Sequence, residues 1–185
     1  ALVSIFILVA IVLFALVAVM IVVGGLTRLT DSGLSITEWR PIEGAIPPLN
    51  AADWDAEFAL YRASPQYELM NRGMELAEFK TIYWWEWGHR QLGRVIGVVW
   101  VLGFLGFLAT RRIPAGRIVP FFVIGVMIGT QAAIGWWMVH SGLQTGMTSV
   151  KSYRLALHLG LAFAILGLIA WHVLKLGRDE AGLMT

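Results

Sequence analysis

The stretch "YWWEWGHRQLGR", Tyr83 to Arg94, sets Glu86, His89, Arg90 and Arg94 directly against the apolar run "VIGVVWVLGFLGFLA". Ionisable residues at membrane depth are costly and mark candidate sites. Glu86 lies three residues before His89, so on a helix the two share a face. A carboxylate there can take a proton or stabilise developing positive charge. It can equally pair with Arg90 at i+4. A second histidine, His158, sits about one and a half turns into another apolar run. Imidazoles at matched depth on two different helices are what bis-histidine haem ligation requires, with one nitrogen on each face of the porphyrin.

The neighbours of the two histidines fit an anionic, flat ligand. Gly93 and Gly97 follow His89 at i+4 and i+8, and Ala162 follows His158 at i+4. Small residues there leave a wall for a porphyrin. Arg90 and Arg94 flank the first histidine and Arg154 precedes the second by four residues. Arginine forks suit the two propionates of a haem. Two plainer readings stay open: glycines let helices approach closely, and arginines snorkel to the interface. Gln131, in the middle of a third apolar run, reads as an interhelical hydrogen-bonding group. His140 reads as interfacial. His172, fourteen positions after His158 and so ~21 Å further along a helix, reads as a residue of the opposite interface.

The elements that must hold these residues follow from hydropathy. The 185 residues are 58% hydrophobic and only 14% charged, with a mean hydropathy of +0.72. Soluble domains carry about a quarter charged residues, so the chain reads as a membrane protein. Four windows have the roughly 20 apolar residues a span needs: 2–26, 88–110, 118–139 and 153–174. The first is too long for the core of a signal peptide and has no basic segment before it. Arg111, Arg112 and Arg117 lie between spans two and three, and Lys175 and Arg178 follow span four. The bias of short basic loops toward the inside therefore puts segments 27–85 and 140–152 outside, and both histidines near the outer face.

The outer loop 27–85 is far longer than an ordinary connection, which marks it as functional and partly structured. "LNAADWDAEFALYRASP" predicts a short amphipathic helix, capped by Asn50 or Asp53 and followed by Pro65. "NRGMELAEFKTIYWWEW" predicts a second helix leading into span two. Helices lying on the membrane surface would suit Trp54, Trp84, Trp85 and Trp87, since tryptophan favours the headgroup zone. The expected fold is all-α: a polytopic membrane four-helix bundle, one transmembrane domain over residues 1–185, with a long, partly helical outer loop.

Composition also excludes. No cysteine is present, so disulfides, iron–sulfur clusters and thiolate zinc sites are ruled out for these residues. A formal net charge of +2 without a basic, aromatic-laced cluster gives no nucleic-acid signal.

Four blocks, "GGLTRLTDSGLSITEW", "EFKTIYWWEWGHRQLGRVIG", "QAAIGWWMVHSGL" and "VKSYRLALHLGLA", resemble the haem A synthase family, in that family's order and over most of the chain. The lack of a cysteine pair in the outer loop is similar to its proteobacterial and mitochondrial subgroup. The resemblance implies an eight-helix protein of two similar halves, each giving a histidine pair to a haem, with this chain as the N-terminal half. It implies an oxidoreductase that turns the ring-D methyl group of haem O into the formyl group of haem A for cytochrome oxidase. Glu86 would be the catalytic carboxylate, and His89 and His158 the ligands of the haem iron. Arg90 falls on the family's E-x-x-H-R block.

Haem b is expected in the missing half. The implied partners are haem O, the lipid bilayer, the missing half or a second copy, haem O synthase and cytochrome oxidase assembly factors. The implied location is the bacterial cytoplasmic or mitochondrial inner membrane, with loop 27–85 on the periplasmic or intermembrane-space side. The chain stops after span four at "GRDEAGLMT", and is expected to be a piece of a longer protein. Catalysis by an isolated copy is not expected. Two other classes remain beside the enzyme: a b-type cytochrome module that moves electrons through a bis-histidine haem, and a structural or assembly membrane protein without haem.

Overall fold

The computed structural model describes residues 2–114 and 116–178, so residues 179–185 of the "GRDEAGLMT" tail lie outside the described residues. The described residues form six α-helices and one 3-10 turn, and no strand. The helices are α1 (Leu2–Leu29), α2 (Ala51–Arg62), α3 (Pro65–Leu69), α4 (Leu76–Ala109), α5 (Ile118–Gly142) and α6 (Ser152–Gly177). Four of them, α1, α4, α5 and α6, are long and apolar enough to cross a membrane. The chain is therefore a multi-pass membrane protein with an all-helical fold.

The four long helices close into a ring. α1 packs against α4 and α6, and α5 packs against the same two. This leaves α4 and α6 across the bundle from one another, the placement that two ligands on facing helices require. Phe6, Ala10, Leu13 and Val17 form the stripe that α1 buries, at spacings of three and four. Ile96 and Phe104 of α4, Phe121 and Ile124 of α5, and Ile165 and Ile169 of α6 complete that core. α4 and α5 are keyed together by Trp100. Its indole nitrogen donates to Phe121 O at 3.0 Å, and its ring fills the space a side chain at Gly125 would occupy, 1.9 Å from an ideal Cβ.

Span two proves to be the end of something longer. The helix expected ahead of it and the span itself are one continuous helix of 34 residues, ~51 Å at ~1.5 Å per residue. That exceeds the ~30 Å of a hydrocarbon core, so the first turns of α4 stand clear and serve the loop between α1 and α4. Glu78 Oε2 accepts from Glu75 N at 2.9 Å to start it. It stops where Arg111 turns left-handed, at φ 54°, and Arg112 N donates back to Phe107 O at 2.8 Å.

The loop has a core of its own: Ile36, Trp54, Phe58, Tyr61, Phe79 and Tyr83. The α2 cap is as the sequence suggests. Asn50 Oδ1 accepts from Asp53 N at 2.9 Å, and Asp53 Oδ2 accepts from Leu49 N at 3.0 Å. Pro65 does more than follow α2, for it opens α3 behind the Ser64 cap. Trp54 corrects the expectation of a surface tryptophan. It is buried edge-on to Tyr83, while Trp84 and Trp85 remain exposed. α2 thus packs onto α4 through its aromatic face. Burial also raises the Tyr61 hydroxyl above its ordinary pKa, where Tyr61 is held by Gln66 and Asn71.

Gly125→Ala is expected to lower thermal stability by about 1–3 kcal/mol, because the indole has no room to retreat. Gly106→Ala, where an added Cβ meets nothing, is the matched control. Equal melting of the two variants in detergent would contradict the Trp100 key.

Candidate haem-binding layer

Between the two cores lies a layer built differently. From position 18 to 26 in α1, 87 to 95 in α4, 125 to 138 in α5 and 153 to 164 in α6, no apolar side chain is fully buried. Both histidines of interest lie in it. His89 of α4 faces Gly24 of α1, where an ideal Cβ would stand 3.1 Å from Nε2. His158 of α6 faces Gly135 of α5, where a Cβ would stand 2.9 Å from Cε1. The Arg90 guanidinium lies 5.8 Å from the ring of Trp136, next to Gly135. That contact puts residues 90 and 136 at one level, so Gly24, His89, Gly135 and His158 share a depth. The matched depth expected from the sequence is the arrangement found.

Two further glycines, not singled out in the sequence, stand against the histidines. Gly24 and Gly135 hold the imidazoles from the neighbouring helices. Gly93 instead touches Met20, and Gly97 borders open space. Two imidazoles do not make a bare metal site, and no group of three or more His, Asp or Glu side chains among the described residues could hold one. They suit a metal that arrives with its equatorial ligands already in place, as in a haem. A layer without fully buried apolar side chains, with imidazoles on facing helices, fits such a flat group. A buried ring atom without a partner, His158 Nδ1, belongs to the same layer.

Glu86 is three residues from His89 but is engaged elsewhere. It is 2% exposed. Oε2 accepts from Ser35 Oγ at 2.8 Å and Ile36 N at 2.7 Å. Oε1 accepts from Arg90 Nη2 at 2.7 Å and Nε at 3.1 Å. Arg90 continues to Ile36 O and Glu38 O, and Arg94 holds Pro41 O and Arg40 O. Trp87 Nε1 reaches Gly44 O. Segment 35–44 is thereby strapped along α4. Arg40 itself pairs with Glu38 and Glu57. A cavity of ≈330 Å³ lies beneath the strap, against Arg40, Arg90 and Arg94, and its lining includes neither histidine.

The arginines expected at propionates therefore differ from one another. Arg90 is neutralised by Glu86. Arg94 contacts backbone carbonyls and Gln91 Oε1. Arg154 donates to Trp137 O at 2.6 Å and stacks on the Trp137 ring at 3.9 Å. His140 is exposed beside Gln144, as an interfacial residue would be. His172 lies at the opposite end of the bundle, 3.3 Å from Arg117 Nη1 at the start of α5, and is buried there against Phe121. Ser35 was not singled out in the sequence, because it is 51 positions from its partner Glu86.

The COX15-CtaA family model, described as cytochrome oxidase assembly protein, matches residues 7–184. The chain belongs to that family. Among other COX15-CtaA relatives, the protein named heme A synthase in Dinoroseobacter shibae is 69% identical over 172 residues, covering 93% of this chain and 45% of its own length. That of Cereibacter sphaeroides is 69% identical, over 93% and 44%. That of Paracoccus denitrificans is 64% identical, over 94% and 46%. The chain thus spans about half the length of the curated COX15-CtaA relatives it matches. No solved structure matches it.

Glu86→Gln is expected to release the strap, since an amide nitrogen would face donors on whichever side it turned. Breaking a buried ion pair costs ~3–5 kcal/mol. Limited proteolysis with a glutamate-specific protease would read this as faster cleavage after Glu43, within the strap. Unchanged cleavage and melting would contradict the clamp.

Proposed function

We propose that this chain is the substrate-haem half of a haem A synthase, which oxidises the ring-D methyl group of haem O to the formyl group of haem A for cytochrome oxidase. The observation that carries the reading is His89 and His158 on facing helices, at one depth, in a layer without fully buried apolar side chains. The relatives are named heme A synthase, which names the product, and haem O as the substrate is part of this proposal. When bound, haem O would bring the iron and the methyl group to be oxidised. His89 and His158 would hold that iron. Arg94 and Arg154, with no carboxylate partner among the described residues, are the better candidates for propionates, and Arg90 contributes through Glu86.

Glu86 enters as a fixed negative charge rather than a free base, because its oxygens already accept four hydrogen bonds. Placed three residues from His89, it favours positive charge developing near the ring, as preorganised charge does in other enzymes. The strap keeps water from this outer side: Leu34 seals Gly142, and Trp39 packs on Trp136 at 5.2 Å. This reading extends to a haem b in the remaining half, a strap on the periplasmic or intermembrane-space side, and partners that include haem O synthase and oxidase assembly factors. The competing reading, a b-type electron-transfer module, uses the same two histidines and gives Glu86 no chemical role.

The test is conversion of haem O to haem A by membranes containing the full-length protein. Wild type is expected to convert. Glu86→Gln is expected to keep its haem and lose at least tenfold in conversion. Conversion by that variant at the wild-type rate would remove Glu86 from the chemistry, and no conversion by wild type would favour the electron-transfer module.

A further inference from the structure

Buried polar atoms in a membrane bundle find partners within the protein, because hydrocarbon offers none. Among the described residues two buried side-chain atoms lack one: Gln131 Oε1 on α5 and His158 Nδ1 on α6. They belong to side chains in contact. Gln131 Nε2 donates to His158 O at 2.9 Å and lies 3.5 Å from His158 Nε2. The first bond fixes the amide. Turning it over would set two oxygens against each other, so Oε1 stays directed away from the carbonyl. Gly135, one turn along the same face of α5, adds no side chain to this corner.

A purely interhelical role accounts for the amide nitrogen alone. The oxygen would then be an uncompensated cost, and such orphans call for an explanation. The missing partner must donate a hydrogen bond and must enter a layer without buried apolar side chains. We propose that Gln131 Oε1 accepts a hydrogen bond from a hydroxyl group of the bound substrate, making Gln131 a specificity-determining residue of the site. The inference rests on the haem reading of His89 and His158. A hydroxyl donor has two sources, the substrate or a trapped water. Haem O carries a hydroxyalkyl side chain where protohaem carries a vinyl group, so the pair of ligands separates them. A buried acceptor selects strongly for the ligand with the hydroxyl, since the other leaves it unpaired.

The experiment titrates haem O and protohaem into the full-length protein in lipid nanodiscs, followed by Soret absorbance. Gln131→Met is expected to weaken haem O binding about tenfold and to leave protohaem within twofold. Gln131→Glu, as a neutral acid, can donate to His158 O and still present a carbonyl oxygen, so it is expected to retain the preference. A ligand-side change needs no variant: methylating the hydroxyl of haem O is expected to cost wild type about tenfold. Equal losses for both haems in Gln131→Met, as a water or a structural bond would give, overturn the proposal. So does indifference of wild type to methylation. If wild type binds neither haem through the two histidines, the reading of the site itself fails. If it binds both and the ratio survives in Gln131→Met, only this inference does.

Discussion

The buried carboxylate of Glu86 is the constraint around which the loop half of the molecule is arranged. A charge at the rim of a membrane bundle persists only if it is paired and hydrogen-bonded. Its donors come from two places: Arg90, one turn along the same helix, and Ser35 and Ile36, about fifty residues earlier in the chain. Meeting that demand folds the loop back onto α4. The same segment then carries the carbonyls that satisfy Arg94 and the second core that buries Trp54, Phe58 and Tyr61. One ionised group thereby couples loop structure, helix length and the roof of the bundle.

Below this roof the logic reverses. The loop core and the bundle core are filled with interlocking aromatic and aliphatic side chains, whereas the layer between them has no fully buried apolar side chain. Its imidazoles rest in notches made by Gly24 and Gly135, and its polar atoms are incompletely matched. Densely packed proteins rarely leave such a layer without a ligand to fill it. Both oxygens of Glu86 are matched, whereas Gln131 Oε1 and His158 Nδ1 have no partner among the described residues.

The sequence made much of this legible. Apolar length located all four spans, and histidine positions measured against those spans placed His89 and His158 at one depth. What escaped depended on contacts between distant segments. Nothing local to Glu86 shows that Ser35 and Ile36 will cap it. Trp54 looked interfacial because its helix is amphipathic, and tertiary packing chose which face turned inward. The notch glycines lie on helices other than those of the histidines, so spacing could not reach them. A glycine inside an apolar span was still a usable sign of close approach. The helix expected to lead into span two is continuous with it, because an amphipathic segment and an apolar segment can share one uninterrupted helix.

The central claim is that His89 and His158 together bind one haem iron. Low-temperature electron paramagnetic resonance of residues 1–185 in nanodiscs, loaded with ferric haem, tests it most directly. The account predicts a low-spin bis-imidazole signal that is lost in His89→Ala and equally in His158→Ala. A low-spin signal that survives either substitution would contradict it.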